Sequence, residues 1–185
     1  HAGNPVARTK PDERPLTLGA DYRALYRSLA PIGSVAKDYL KARECELPPS
    51  DGDLRYAEAL RHRSGYVGPA LVALVTDVDT RAPLTLHRTW IRADGSKADI
   101  DPPRMLLGGH TKKNGIIRLW PDDGVTTGLA IAEGVETALT LALAFTPVWA
   151  MIDASNLAKF PVLDGIRSLL IAADHDDAGL RAADA

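Results

Sequence analysis

Gly128-Leu-Ala-Ile-Ala-Glu133-Gly134-Val-Glu136-Thr-Ala138 passes from a continuous apolar run to an acid, a glycine and then a helical pattern. The run is short and ends on Glu133-Gly134, so it reads as a strand buried on both faces, followed by a helix over 135–145. The same alternation continues downstream, with a strand over 147–152, a short helix over 157–160 and a strand over 168–173. A β-α-β-α-β order of short apolar strands predicts a parallel sheet covered on both faces. Ligands bind such sheets beyond the carboxyl ends of the strands. All three strands run into acids there: Glu133, Asp153 and the Asp174-His175-Asp176-Asp177 cluster. Carboxylates gathered at strand ends suit a hard cation such as Mg²⁺ or Mn²⁺. Asp174 and Asp176, one residue apart, can share one or two ions, and Glu133 can ligate a metal or accept a proton. An acid after a parallel strand also serves as a helix cap, and both readings stand on these residues alone.

The rest of the chain follows a different grammar. Residues 1–18, with Pro5, Pro11 and Pro15 among charges, read as an extended lead-in. Tyr22, Leu25, Tyr26 and Leu29 mark a helix that Asp21 is placed to cap, and Pro31 stops it. A second helix begins at Ser34 and uses Val35, Tyr39 and Leu40. A short helical stretch is expected over 54–61. Apolar or alternating runs over 70–75, 84–92 and 116–120 predict strands beside the turn dipeptides Asp94-Gly95 and Asn114-Gly115. The expected fold class is therefore α/β, or α+β overall. It divides into an N-terminal subdomain over 1–120, with helices and then β hairpins, and a parallel β-α-β unit over 121–185. The second unit is expected to need a further strand and helix beyond Ala185, and the opening His1 suggests an internal boundary.

Net charge is −2, but it is unevenly placed: residues 1–118 carry +5 and residues 119–185 carry −7. A basic front joined to an acidic back suits a polyanion held by one part while carboxylates act from the other; an ordinary solvated surface gives the same numbers. The single cysteine, Cys45, excludes a disulfide framework within the chain and a four-cysteine zinc ribbon. No run approaches the length of a membrane span, which makes the cytoplasm the default expectation. No G-x-x-x-x-G-K-[ST] loop occurs, which argues against a nucleotide-hydrolysing motor. His87 and His110 read as surface or hydrogen-bonding residues, and Trp90 and Trp120 as core or as base-stacking groups.

The strand-Glu-Gly-helix pattern of residues 129–138 and the later Leu169-Leu-Ile-Ala-Ala-Asp174-His-Asp176-Asp-Ala-Gly179 together resemble the Toprim domain, shared by bacterial-type primases, type IA and II topoisomerases and certain nucleases. By that resemblance Glu133 is general base or metal ligand, Asp174 and Asp176 hold the metals and Asp177 assists. Ala154-Ser155-Asn156-Leu157 is similar to the loop after the second strand in phage and plasmid members, which places Asn156 among the nucleotide contacts. Upstream, Leu86-His87-Arg88-Thr89-Trp90-Ile91, Asp94-Gly95-Ser96-Lys97-Ala98 and Pro102-Pro103-Arg104-Met105 resemble the basic subdomain of mobile-element primases. The resemblance assigns Arg88, Lys97 and Arg104, with Lys112 and Lys113, to template or nucleotide contacts; on residue chemistry alone each is equally a solvated charge. It implies a DNA primase making short RNA primers on single-stranded DNA from ribonucleoside triphosphates, with Mg²⁺ or Mn²⁺ and a replicative helicase as partner. The alternatives are a Toprim nuclease or topoisomerase-like DNA-cleaving enzyme, or a non-catalytic nucleic-acid-binding module. A topoisomerase needs a tyrosine nucleophile, and Tyr22, Tyr26, Tyr39, Tyr56 and Tyr66 lie far from the acidic segment in sequence.

Overall fold

A computed structural model describes residues 17–161, 163–173, 179, 181 and 182. Two short helices open it, α1 (Ala20–Ser28) and α2 (Ser34–Ala42). Gly19, not Asp21, occupies the N-cap of α1, and Asp21 lies inside the first turn, where a negative charge complements the helix dipole. Tyr26 of α1 and Ala36, Tyr39 and Leu40 of α2 are buried. Both helices lie on an antiparallel sheet of β1 (Leu54–Arg61), β2 (Val67–Asp77), β3 (Pro83–Trp90) and β4 (Arg104–Leu106), in that order. A two-residue strand, β5 (Gly115–Ile116), pairs with the end of β2.

Residues 54–61 form a strand where a helix was expected. The apolar side chains Leu54, Ala57 and Leu60 are spaced by three, which mimics a helical face. In β1 the register shifts between Ala57 and Leu60, so Leu60 returns to the face of Ala57 while Leu54 packs on the other. A bulge lets a three-residue period live in a strand. Of the run expected over 116–120, only Ile116 lies in a strand of that sheet.

The parallel unit follows the expected order: β6 (Gly128–Ala132), α3 (Val135–Leu141), β7 (Val148–Ala150), α4 (Ala154–Leu157) and β8 (Ser168–Ala172). The short helix starts three residues earlier than expected because the Asp153 carboxylate accepts the Asn156 N–H at 3.0 Å and caps it there. β6 is central, paired in parallel with β7 and β8. β8 is an edge among the described strands, with Leu169 and Leu170 each 41% exposed.

One face of the antiparallel sheet packs on the parallel unit. Leu71, Ala73 and Val75 of β2 share a core with Ala130 and Ala132 of β6, Ala138 and Leu139 of α3, and Ala150 of β7. The alanines allow the two layers to approach closely. Beyond β5 the chain joins them directly: Ile117 and Ala150 exchange two main-chain hydrogen bonds, 2.8 and 3.0 Å. Gly52 packs under the carbonyl of Leu119, where an added Cβ would overlap it. Asn114 takes a left-handed φ of 57°, and the Gly115 N–H donates to Lys112 O at 2.9 Å, closing the turn before β5.

Because the core is common to both sheets, the chain should unfold as one unit. Leu139, fully buried in that core, is its direct probe. Leu139→Ala should cost about 2–5 kcal/mol in urea denaturation. Far-UV circular dichroism and the fluorescence of Trp90, in the antiparallel sheet, and Trp149, in the parallel sheet, should report one coincident transition.

Candidate active site

The parallel register sets the frame. Ala132 pairs with Ala150 on one side and Ala172 on the other, so the three strands end at one edge. Glu133 is the first residue past β6, half-buried at a bend, and Gly134 takes an extended conformation as N-cap of α3. Asp153 follows β7, where it caps α4 and pairs with Lys112 at 2.5 Å. Asp174, Asp176 and Asp177 lie outside the described residues. Among the described residues no group of three or more His, Cys, Asp or Glu side chains could hold a metal ion.

Opposite this edge lies a cluster that the sequence reading only half anticipated. Glu136, in the first turn of α3, is 13% exposed and gathers groups from three other segments. Its Oε1 accepts the Tyr39 hydroxyl from α2 at 2.9 Å and pairs with Lys97 Nζ at 3.4 Å; its Oε2 faces Arg104 at 3.8 Å. β4 pairs Arg104 with Thr89, on the same sheet face as His87 and Leu71, and this face looks toward α3. The Arg104 guanidinium also borders the Glu133-Gly134 bend, 3.9 Å from where a Cβ on Gly134 would stand. Two of the expected cations, Lys97 and Arg104, therefore meet the acidic edge through Glu136.

The cluster's electrostatics follow from its burial. Burial alone would raise the Glu136 carboxyl, but Lys97, the Tyr39 hydroxyl and Arg104 outweigh it and hold the group below the usual carboxylate range. The Tyr39 hydroxyl is pushed well above its ordinary value by burial and by the neighbouring Glu136 charge. His87 is pushed down to about 4, first by burial and then by Arg104, with Lys97 and Arg88 adding to it. It stands as a neutral imidazole beneath the cations.

The structure does not bring the other expected contacts to this cluster. Strand alternation turns Arg88 to the opposite face with Leu86 and Trp90, its guanidinium 5.5 Å from the Trp90 ring centre and donating to Leu106 O at 3.1 Å. The Asn156 amide is spent as a staple, donating to Lys112 O and Gly115 O at 3.0 Å each. Lys112 is held by Asp153, and Lys113 is exposed in the same loop. Trp90 is core, its indole N–H donating to Leu60 O at 2.9 Å.

A buried cation was not foreseen. Arg118 lies 5.0 Å from the Trp149 ring centre, pairs with Asp122 at 2.7 Å and donates to Thr76 and to the carbonyls of Asp77 and Val78. Its one sequence signal is a charge inside the apolar run Ile116-Ile117-Arg118-Leu119-Trp120. Asp53, nearby, is pushed up to about 6 by burial, against the pull of Arg118 and Arg55.

Residues 128–185 match the Toprim domain, and the β7-β6-β8 sheet with its crossover helices is a Toprim-type sheet in an α+β fold. Residues 19–119, more than half of the chain, match the family described as Domain of unknown function (DUF7146), and the chain belongs to that family. A solved bacteriophage T7 complex, of lagging-strand DNA polymerase interacting with primase domains of two gp4 subunits bound to an RNA/DNA hybrid and dTTP, contains a chain 16% identical to this one. The match covers 72% of this chain and 74% of that one, with a TM-score of 0.43. No curated protein matches.

Two of the shifted groups, His87 and Asp53, predict opposite pH slopes. His87 titrates near 6.5 when unfolded and near 4 when folded. In that window the unfolded chain holds the extra proton, so the contribution is present above it and is lost as pH falls. Asp53 binds its proton more tightly when folded, so its contribution falls as pH rises from about 4 to 6. His87→Gln should remove the first slope and Asp53→Asn the second, each up to about 2–3 kcal/mol across its window. Urea midpoints between pH 4 and 7 read both.

Proposed function

We propose that the chain is the catalytic part of a DNA primase of the mobile-element type, joining ribonucleotides on a single-stranded DNA template in the cytoplasm. The observation that carries this reading is the meeting of Lys97 and Arg104 with the Glu133-Gly134-x-Glu136 turn. It places fixed cations from a basic sheet beside the carboxyl edge of a parallel sheet, as transfer of a charged phosphoryl group requires. The 3′-hydroxyl of the growing primer attacks the α-phosphorus of the incoming triphosphate. A new P–O bond forms, the bond to pyrophosphate breaks, and the hydroxyl proton passes to Glu133.

Glu133, Asp174 and Asp176, with Asp177 assisting, form the donor set. A half-buried carboxylate at a strand end beside a guanidinium fits a hard cation shared with phosphate oxygens. Bound Mg²⁺ or Mn²⁺ would supply charge neutralisation at the attacking and leaving oxygens. Lys97 and Arg104 take the triphosphate oxygens, and Glu136 holds both cations in place until the nucleotide arrives. Lys112, Lys113 and Arg88 then contribute to template binding rather than to the transfer. A replicative helicase is the natural partner for such an activity.

The test is incubation of the protein with single-stranded DNA, labelled ribonucleotides and Mg²⁺ or Mn²⁺. Short labelled RNA is expected, falling at least about 100-fold in Glu133→Gln and Asp174→Asn. Lys97→Ala and Arg104→Ala should act chiefly on nucleotide KM. Shortened DNA without incorporation would instead identify a nuclease, and DNA binding without turnover, unchanged in Asp174→Asn, a non-catalytic module.

A further inference from the structure

The turn between β1 and β2, residues 62–66, is built more rigidly than a surface connection needs. His62 is 1% exposed and packs edge-on against Trp90, with ring centres 4.7 Å apart. Its main chain donates to Tyr66 O at 2.7 Å and accepts from Gly65 at 3.0 Å, and its Nδ1 meets Ser64 Oγ at 2.8 Å and the Ser64 N–H at 3.1 Å. A buried imidazole thus anchors the tip of an exposed hairpin.

The anchored tip presents a specific chemistry. Tyr66 is 36% exposed, and the hydroxyl end of its ring lies against Gly68, where an added Cβ would overlap it. Arg61 and Arg63 flank it, both exposed, and neither forms an ion pair among the described residues, although Glu58, Asp99 and Asp101 lie in neighbouring segments. Two uncommitted guanidinium groups beside a rigid aromatic face suit the phosphates and bases of a single strand.

The sheet register places this tip relative to the acidic edge. Arg104 pairs with Thr89, Thr89 with Leu71, and β2 runs back from Leu71 to Val67 at the tip. Two strand spacings and four residues along β2 make the separation roughly 16 Å. The hairpin therefore reaches a strand several nucleotides away from any base at Glu133, and only a ligand longer than a few nucleotides can touch both.

We infer that the β1–β2 hairpin tip is a single-stranded nucleic-acid grip, with Tyr66 stacking a base and Arg61 and Arg63 holding flanking phosphates, remote from the reacting centre. This inference rests on the primase reading for the identity of the strand. An acidic polypeptide, the other polyanion such a tip could meet, has no flat base to stack on Tyr66.

Fluorescence anisotropy with labelled oligodeoxynucleotides tests it. For a strand of about 12 nucleotides, Tyr66→Ala should weaken binding about tenfold, and Tyr66→Phe should restore it. Arg61→Ala with Arg63→Ala should reduce the slope of log affinity against log salt by about 1.4. Thermal melting should show all variants folded. Unchanged affinity and slope in the triple variant would overturn the hairpin role, as would polyglutamate binding as tightly as the oligonucleotide. Unchanged hairpin variants alongside loss of incorporation in Glu133→Gln would leave the primase reading standing. Absence of incorporation by the native chain, with hairpin-dependent DNA binding intact, would remove that reading and keep the grip.

Discussion

Two main-chain hydrogen bonds exchanged between Ile117 and Ala150 tie together halves that obey different rules. The antiparallel sheet sets β1 to β4 side by side in chain order. The parallel unit must bury both faces of β6, and its strands are apolar throughout. The bridge places the chain leaving β5 alongside β7, and the alanines of β6 and α3 let the face of β2 settle onto them. Remove that juxtaposition and Lys97 and Arg104 have no acid to meet.

The Glu136 cluster shows what such closeness costs and gains. A carboxylate taken largely out of water is unfavourable unless opposite charge and hydrogen bonds replace its hydration. Tyr39, Lys97 and Arg104 do so from three segments, while the two cations stay partly open, Lys97 at 28% and Arg104 at 48%. The half-open cations can trade partners without leaving their place. His87, kept neutral beneath them, adds no further positive charge to repel.

Local pattern made part of this legible. β6, β8 and the helix between β6 and β7 could be read because a continuous apolar strand and the helix after it leave unbroken signals in sequence. β1 could not, because a bulge turned a strand's alternation into a spacing of three. Glu133 and Gly134 were visible as a turn, yet Glu136, two residues on, was passed over: its partners Tyr39 and Lys97 are far away along the chain, and no local spacing records them. Arg88 was grouped with Lys97 and Arg104 as a template or nucleotide contact, and which face of the strand it takes was not legible, because parity is fixed only once β3 has paired with β2 and β4. Asn156 and Arg118 share this history; both are polar side chains whose use on main-chain carbonyls appears only when distant segments meet.

The turn at Asn114 has a consequence for the chemical ageing of the protein. Asparagine followed by glycine is the pair most prone to deamidate, because the glycine nitrogen can attack the asparagine side chain and close a succinimide. Here that nitrogen donates to Lys112 O, and the left-handed backbone of Asn114 is pinned by the Asn156 amide bridging the carbonyls on either side of the turn. The folded chain thus guards its most labile peptide link, and damage at that link serves as a record of time spent unfolded.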